Sequence, residues 1–392
     1  MAPLRGIMSY PISPDQKELK ARAQELASIF RGRAARWDQT EEYPWENVKD
    51  LVKAGFMGMT VPKAYGGAGR TIFDALLVIE EMAKACGISG RIVVDANLGV
   101  VSALAHYATE AQKRRWLPVV VEGDKPAICI TEPEAGTAAT DMATTATLKD
   151  GRWMINGTKR WITGAGVSNL HLVFCRLLEA GTDVGIGALV VERGAPGFTL
   201  GPRIPTMGLR GIPEGVLIFK DCEVPADHLV VGKGGFGKLM GAYNAQRLGA
   251  ATVALGIAQG AYAEALAFSK TRRQFGREIC EFQGIQWTLA DMVIKLEAAR
   301  LLIHRAAVNA GDGLPDKFEA AVAKTFAAES AIEVTSQALQ LFGGDGYSRE
   351  RPLERMLRDV RMFTIGGGTV QAMRNLIASE ILGRRFSQRR GE

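Results

Sequence analysis

The sequence predicts an α+β fold built as three consecutive domains: α-helical, then β, then α-helical again. Two changes of hydrophobic period carry that expectation. Apolar residues recur at helical spacing from residue 14 to about 125, alternate with period two between close turns to about 235, and return to helical spacing from Phe236. A composition of 47% hydrophobic and 23% charged residues over 392 positions is that of a globular protein with a large core. The domains read as residues 1–125, 126–235 and 236–392.

The first domain opens with "SPDQKELKARAQELASIFRGRAARWD", where Ser13 stands as an N-cap before Pro14. "MSYPISPDQ" reads as a domain beginning, so Met8 is an alternative start. "GFMGMTVPKAYGGAGR" is a Gly/Pro loop, and "TIFDALLVIEEMAKAC" is apolar on nearly every face, which predicts a buried helix. In "TATLKDGRWMINGTKRWIT", Asp150-Gly151 and Asn156-Gly157 predict two hairpins with type I′ turns. "NLHLVFCR", "IGALVVERG" and "GVLIFKDCEVP" read as further strands. The last domain carries helical stripes at Leu248, Ala251, Leu255, Ala258, Tyr262 and Ala265, at Leu289, Met292, Leu296, Ala299 and Ile303, and at Ile332, Thr335, Leu339 and Phe342. Gly249, Gly256 and Gly260 cost helix propensity, which predicts close helix–helix approach there.

Net charge is +6, but acids and bases alternate without a basic block. A small polyanionic ligand such as a nucleotide explains that modest excess as well as a nucleic acid does, and no nucleic-acid motif accompanies it. No run reads as a membrane span. The five cysteines (Cys86, Cys129, Cys175, Cys222, Cys280) are scattered without CxxC or His pairing, which predicts reduced thiols, a cytoplasmic location and no metal site. A β-domain between helical domains leaves a cleft suited to a flat cofactor.

The stretches "ICITEPEAGTAATDMATTA", "GTKRWITGA", "TRRQFGREICEFQGIQWTLADM", "QALQLFGGDGY" and "GTVQAMRNLIASEIL" follow one another in an order that resembles the acyl-CoA dehydrogenase superfamily. The resemblance implies a middle domain that is β-barrel-like, a C-terminal four-helix bundle, FAD as cofactor, an acyl-CoA substrate and a homotetramer in which one subunit's bundle helps hold its neighbour's flavin. It implies flavin contacts from Thr131, Thr137, Trp161 and Thr163, with Trp161 and Thr163 near the isoalloxazine. Arg272 is implied on the FAD pyrophosphate, beside Gln274 and Phe275; a guanidinium on phosphate is chemically apt. Gln340, Gly343 and Gly344 are implied to meet the neighbour's flavin, Thr369 and Gln371 to meet its adenosine side, and Arg247 to lie near the CoA adenine. Read alone, the threonines are also consistent with turn hydroxyls and Trp161 with core. The chain departs from the family at Glu134, where glycine is usual, and at Thr137-Ala138, where Ser-Asp is usual.

Dehydrogenases of this family remove an α-proton with a glutamate. The usual position, in "YEGT", is Gly367 here, within "GGGT"; the position used by other branches, in "ERL", is Gln246 within "QRL". Glutamine takes no proton at neutral pH. Arg91, in "GISGRIVVDANLGV", matches the arginine that receives the distal carboxylate in the dicarboxylic branch. It also stands one helical turn before Asp95, a spacing that permits a simple i,i+4 pair. An anion receptor on a flavin scaffold without an α-base resembles a branch that converts 3-sulfinopropionyl-CoA to propionyl-CoA and sulfite. On that reading Arg91 and Gln246 are catalytic, Arg91, Arg247 and Gly367 line the substrate, and the acyl terminus is anionic. Two other readings stay open. One is a dehydrogenase of a short dicarboxylyl-CoA with its base moved to Asp95 or Glu134. The other is a paralogue that binds CoA and flavin without catalysis.

Overall fold

The computed structural model describes residues 11–387, so the alternative start at Met8 lies outside the described residues. Six helices come first: α1 (Pro14–Thr40), α2 (Trp45–Lys53), α3 (Ile72–Ala85), α4 (Gly87–Asp95), α5 (Val100–Tyr107) and α6 (Glu110–Val121). Ser13 caps α1: its Oγ accepts from Gln16 N–H at 3.1 Å while the Gln16 side chain accepts from Ser13 N–H at 3.0 Å. Every residue of α3 except Lys84 is buried. Its buried Glu80 accepts from Gln259 Nε2 at 2.9 Å and from Arg300 Nε at 3.2 Å, which ties the first domain to the last.

Eight strands follow: β1 (Ala127–Cys129), β2 (Thr145–Lys149), β3 (Arg152–Thr163), β4 (Leu170–Glu179), β5 (Thr182–Glu192), β6 (Phe198–Ile204), β7 (Glu214–Pro225) and β8 (Leu229–Val231). They form one mixed sheet in the order β6-β7-β3-β2-β4-β5-β8, with β1 parallel to β4. The path through the sheet of the middle domain runs from β6 at one end to β8 at the other. Asp150-Gly151 turns the β2–β3 hairpin, with both residues at positive φ. Asn156-Gly157 does not turn. β3 runs through it with a register shift, and a Cβ on Gly157 would meet Thr144 Oγ1 at 2.4 Å, so the glycine serves a close approach. β1 and β8 are three residues each, and β6 lies exposed at the edge, so none of them shows a period-two pattern.

The last part comprises α7 (Phe236–Ser269), a ribbon of β9 (Arg273–Gln274) and β10 (Arg277–Glu278), then α8 (Gln283–Ala310), α9 (Lys317–Phe342), α10 (Gly344–Tyr347), α11 (Leu353–Val360) and α12 (Val370–Ile381). Helices α7, α8, α9 and α12 make the bundle, with α9 in contact with the other three. The α7 and α8 stripes are buried as predicted, Tyr262 alone being half-buried. On α9 the buried face is Ala331, Val334, Thr335, Ala338 and Phe342, so Ile332 and Leu339 lie at its margin. By length and composition alone, Gly87–Tyr107 and Phe236–Ser269 do qualify as membrane spans, contrary to the sequence reading. Some 94% and 67% of their most apolar windows are buried inside the protein, so their apolar surface is already covered.

Helix α7 reaches α3 and α4 through its glycines. A Cβ on Gly256 would lie 2.6 Å from Ala83 Cβ and from the Glu80 carbonyl; one on Gly249 would lie 2.7 Å from Val94. Gly256→Ala is expected to lower stability by about 1–3 kcal/mol through overpacking, although alanine is the better helix former by about 1 kcal/mol. Gly237→Ala, where nothing lies within 4 Å of a new Cβ, should instead add roughly 0.5–1 kcal/mol. Urea midpoints of the two variants, displaced in opposite directions, check this reading of the helix contact.

Candidate active site

Four side chains converge where α4, α7 and the segment between α6 and β1 meet. Arg91 and Asp95 lie one turn apart on α4, and Arg91 Nη1 is 2.7 Å from Asp95 Oδ1. The i,i+4 pair is therefore real, but Asp95 is not Arg91's alone. Gln246 Nε2, on α7, donates to the same Oδ1 at 2.7 Å, and Lys125 Nζ stands 2.8 Å from Oδ2. All four residues are buried, Lys125 to 1% exposure. Two cations thus share one carboxylate, at a depth where unpaired charge is expensive. Arg91 Nε and Gln246 Oε1 are buried without a partner. Unsatisfied buried polar atoms are rare enough in folded proteins that two on one cluster call for a reason.

The cluster continues into the sheet. Lys125 Nζ donates to the Thr163 carbonyl at 3.3 Å, and Thr163 Oγ1 donates to Glu214 Oε1 at 2.6 Å. Thr163 ends β3 and Glu214 opens β7, directly opposite each other in register. Glu214 is half-buried. Burial pushes its carboxyl up to about 7, against the downward pull of the Thr163 hydroxyl, Arg91 and Lys125.

Across α7 lies the glycine loop. Gly367 and Gly368 both have positive φ. Arg247 Nε donates to the Gly367 carbonyl at 3.3 Å, and Lys324 Nζ donates to the Gly368 carbonyl. Burial, helped by Arg247, brings the Lys324 ammonium down to about 8. A Cβ on Gly366 or Gly368 would strike Met362 Sδ at 2.9 Å or Met373 Cε at 2.8 Å, whereas one on Gly367 meets only Lys324 Cε, at 4.0 Å. Gly367 is thus the least crowded of the three, although its φ of 76 would strain any side chain placed there. Arg247, expected near the CoA adenine, is buried beside this loop, its Nη1 donating to Asn244 Oδ1 at 2.8 Å.

The residues expected at a flavin fall into three groups. Thr131 and Trp161 sit near Thr163: the Thr131 carbonyl accepts from Arg160 N–H at 2.8 Å, and Trp161 is pushed out at φ 58, 51% exposed, by an irregularity in β3. The loop carrying Thr131 is anchored by buried Glu132, which accepts from Ala143 N–H at 2.6 Å, Thr144 N–H at 3.0 Å and Lys159 Nζ at 2.7 Å. Burial alone would raise the Glu132 carboxyl, but these donors hold it below the usual carboxylate range. Thr137 and Glu134 lie exposed on the rim of that loop. The second group, Arg272, Gln274, Gln340, Gly343 and Gly344, lines one cleft of about 430 Å³, floored by Phe268 and Phe342. A Cβ on Gly343 or Gly344 would meet nothing within 4 Å, so both open that cradle. Phe275 lies outside it, 93% exposed on the β9–β10 ribbon. Thr369, which caps α12 by accepting from Ala372 N–H at 3.1 Å, and the exposed Gln371 form the third group, beside the glycine loop.

Lys125, Glu214 and Lys324 were not among the residues expected from sequence. Lys324 leaves a readable signal, since it occupies a core position between Ala320 and Ala328 on α9. Lys125 and Glu214 leave none, because each gains its meaning from elements far away in the chain.

The chain matches the family models for the acyl-CoA dehydrogenase N-terminal domain over residues 13–124, middle domain over 127–222 and C-terminal domain over 233–382. It is 53% identical to a 3-sulfinopropanoyl-CoA desulfinase of Variovorax paradoxus, over 97% of this chain and 98% of that protein. It is 52% identical to one of Cupriavidus necator with the same coverage. Among solved structures it resembles butyryl-CoA dehydrogenase of Megasphaera elsdenii, with 33% identity, a TM-score of 0.91, and 96% of this chain and 100% of that one covered.

The Lys159–Glu132 pair is fully enclosed, so removing one partner strands the other. Lys159→Met is expected to cost about 3–5 kcal/mol, and the double variant with Glu132→Gln to regain part of it. Chemical denaturation of the single and double variants measures both.

Proposed function

This chain belongs to the acyl-CoA dehydrogenase family, and we propose that it is a cytoplasmic flavoprotein that desulfinates 3-sulfinopropionyl-CoA, giving propionyl-CoA and sulfite. The observation that carries this reading is the buried pairing of two cations, Arg91 and Lys125, with one carboxylate, Asp95, beside two unpartnered polar atoms. Such a site calls for an anion, and a sulfinate at the acyl terminus supplies one. The relatives at 52–53% identity carry the corresponding name.

In this reading Arg91 receives the sulfinate oxygens, and its charge draws electron density from sulfur toward them. Gln246 is held by its amide N–H on Asp95, which leaves Oε1 to accept a hydrogen bond from a water molecule. The C–S bond breaks, its electron pair stays on carbon, carbon gains a proton, and sulfur gains an oxygen from water. Substrate plus water equals product plus sulfite, so no electron acceptor is consumed. Gly367 and Gln246 remove the means of taking an α-proton, which protects the propionyl product from oxidation. The moved-base reading fares worse on geometry. Asp95 is engaged by two cations and an amide, and Glu134 stands on an exposed rim.

FAD fits the three groups of residues. Thr131, Thr137, Trp161 and Thr163 would hold it from one subunit. Arg272, Gln274, Phe275, Gln340, Gly343 and Gly344 would hold it from the neighbour, with Thr369 and Gln371 at its adenosine side. When bound it supplies a flat redox-active ring against the acyl chain. A homotetramer would bring the two sets together. Its support is a stripe at every seventh residue of α8, Trp287, Ile294, Leu301 and Val308, each at least 42% exposed. A continuous exposed apolar stripe of this kind marks an interface.

The deciding experiment is a sulfite assay with 3-sulfinopropionyl-CoA. Wild type is expected to release sulfite without bleaching the flavin, and Arg91→Lys, which keeps the charge but loses the guanidinium fork, to be slower by about 10²-fold. No sulfite from wild type overturns the reading, and wild-type turnover in Arg91→Lys removes Arg91 from it. Separately, Ile294→Glu should shift the protein to a smaller species in light scattering; an unchanged mass would place the interface elsewhere.

A further inference from the structure

We infer that Glu214 is the acid that protonates the carbon from which sulfur departs, and that its carboxylate then takes a proton from the water that attacks sulfur. This rests on the desulfinase reading. That reaction requires a proton on a carbon that the thioester does not stabilise as a carbanion, so the donor must stand at the site. The other candidates there are committed. Arg91 and Lys125 are ion-paired with Asp95, and Asp95 Oδ1 accepts from Gln246. Gln246 carries no acidic proton. Lys324 is spent on the Gly368 carbonyl.

Glu214 is placed differently. Thr163 Oγ1 donates to its Oε1 at 2.6 Å and fixes the carboxyl plane, while Oε2 has no hydrogen-bond partner among the described residues. The side chain is half-buried, so it remains open to a ligand. The groups that bear on its charge come from three directions: Arg91 and Asp95 on α4, Lys125 before β1, and the Tyr243 phenol on α7, itself raised by burial. Lys125, paired with Asp95, donates to the carbonyl of Thr163, whose hydroxyl holds Glu214, so the carboxyl adjoins the proposed anion receptor through one shared residue. With its carboxyl near 7, the group can both give and regain a proton at neutral pH.

The step balances. The carboxyl proton forms the new C–H bond with the electron pair of the broken C–S bond. Water gives its oxygen, with one hydrogen, to sulfur and its other proton back to the Glu214 carboxylate. Carbon is reduced, sulfur is oxidised, and no other reagent enters.

The acid must carry its proton, so activity belongs to the form present below about 7 and is lost as pH rises through that value. Wild type should therefore show an alkaline limb in sulfite release near neutrality, and in D2O should place one deuterium at C3 of the propionyl group. Glu214→Gln keeps the acceptor for Thr163 and should lose about 10²–10⁴-fold in turnover, with the alkaline limb gone. Glu214→Asp should recover part of the rate. Thr163→Val removes a hydrogen bond that favours the charged form, so it should move the limb to higher pH, a result that loss of packing alone does not give. Sulfite from wild type together with an unchanged rate and limb in Glu214→Gln overturns the role of Glu214 and leaves the desulfinase reading standing. Deuterium at C2 with flavin bleaching would make Glu214 a base instead, and overturns both. No sulfite from wild type overturns the parent reading, and the role of Glu214 falls with it.

Discussion

The sharing of Asp95 between Arg91 and Lys125 is the constraint on which the rest of the site depends. A buried carboxylate with one cation would be a closed structural pair, and a weak argument for function. With two cations the account does not close inside the protein. Arg91 Nε has no partner, and the carboxyl that could offset the second cation, Glu214, is pushed toward neutrality by its own burial. Lys125 is further held by the Thr163 carbonyl, and Asp95 by the Gln246 amide. On the proposed function, an anionic substrate would supply the partner that the second cation lacks.

The glycine loop shows the same principle from the other side. Arg247 and Lys324 both point hydrogen bonds at its carbonyls, and Gly367 is the least crowded of its three glycines. A carboxylate there would sit against two cations. With glycine in its place, the carbonyl oxygens of Gly367 and Gly368 serve as the partners, and the positive φ at both residues turns them that way. The loop is therefore a satisfied structural unit and has no need of a phosphate.

Much of the fold could be read from local pattern. α3 announced its burial by lacking a polar face, and Ser13, Gln16 and Pro14 announced the start of α1. The glycines of α7 announced the close crossing on α3. Reading failed where local chemistry has two uses. Asn156-Gly157 has the composition of a tight turn, but its glycine serves the approach of Thr144. β6 lies on an exposed edge, where no alternation is required of it. At the site, Arg91 was legible with two meanings, and the structure combines them: it is an i,i+4 partner of Asp95 and still has an unspent donor. Lys125 and Glu214 could not be read. One follows α6 and the other opens β7, and only tertiary packing brings them to the same few ångströms of Thr163.

Thr163 links the two parts of the candidate site. Its carbonyl belongs to Lys125 and its hydroxyl to Glu214, so the end of β3 joins the anion receptor to the group that titrates near 7. Two carboxyls on one site are thereby set to different tasks. Asp95 is ion-paired on both oxygens, accepts from Gln246 at one of them, and stands as a counter-charge to two cations. Glu214, held by one hydroxyl at one oxygen, keeps the other free for exchange. Dividing acceptor and donor roles between differently placed carboxyls is a general route to acid–base chemistry at neutral pH. On the proposed function, this division would let a dehydrogenase scaffold lose its α-base and remain an enzyme, since Glu214 would act as an acid at the other end of the acyl chain.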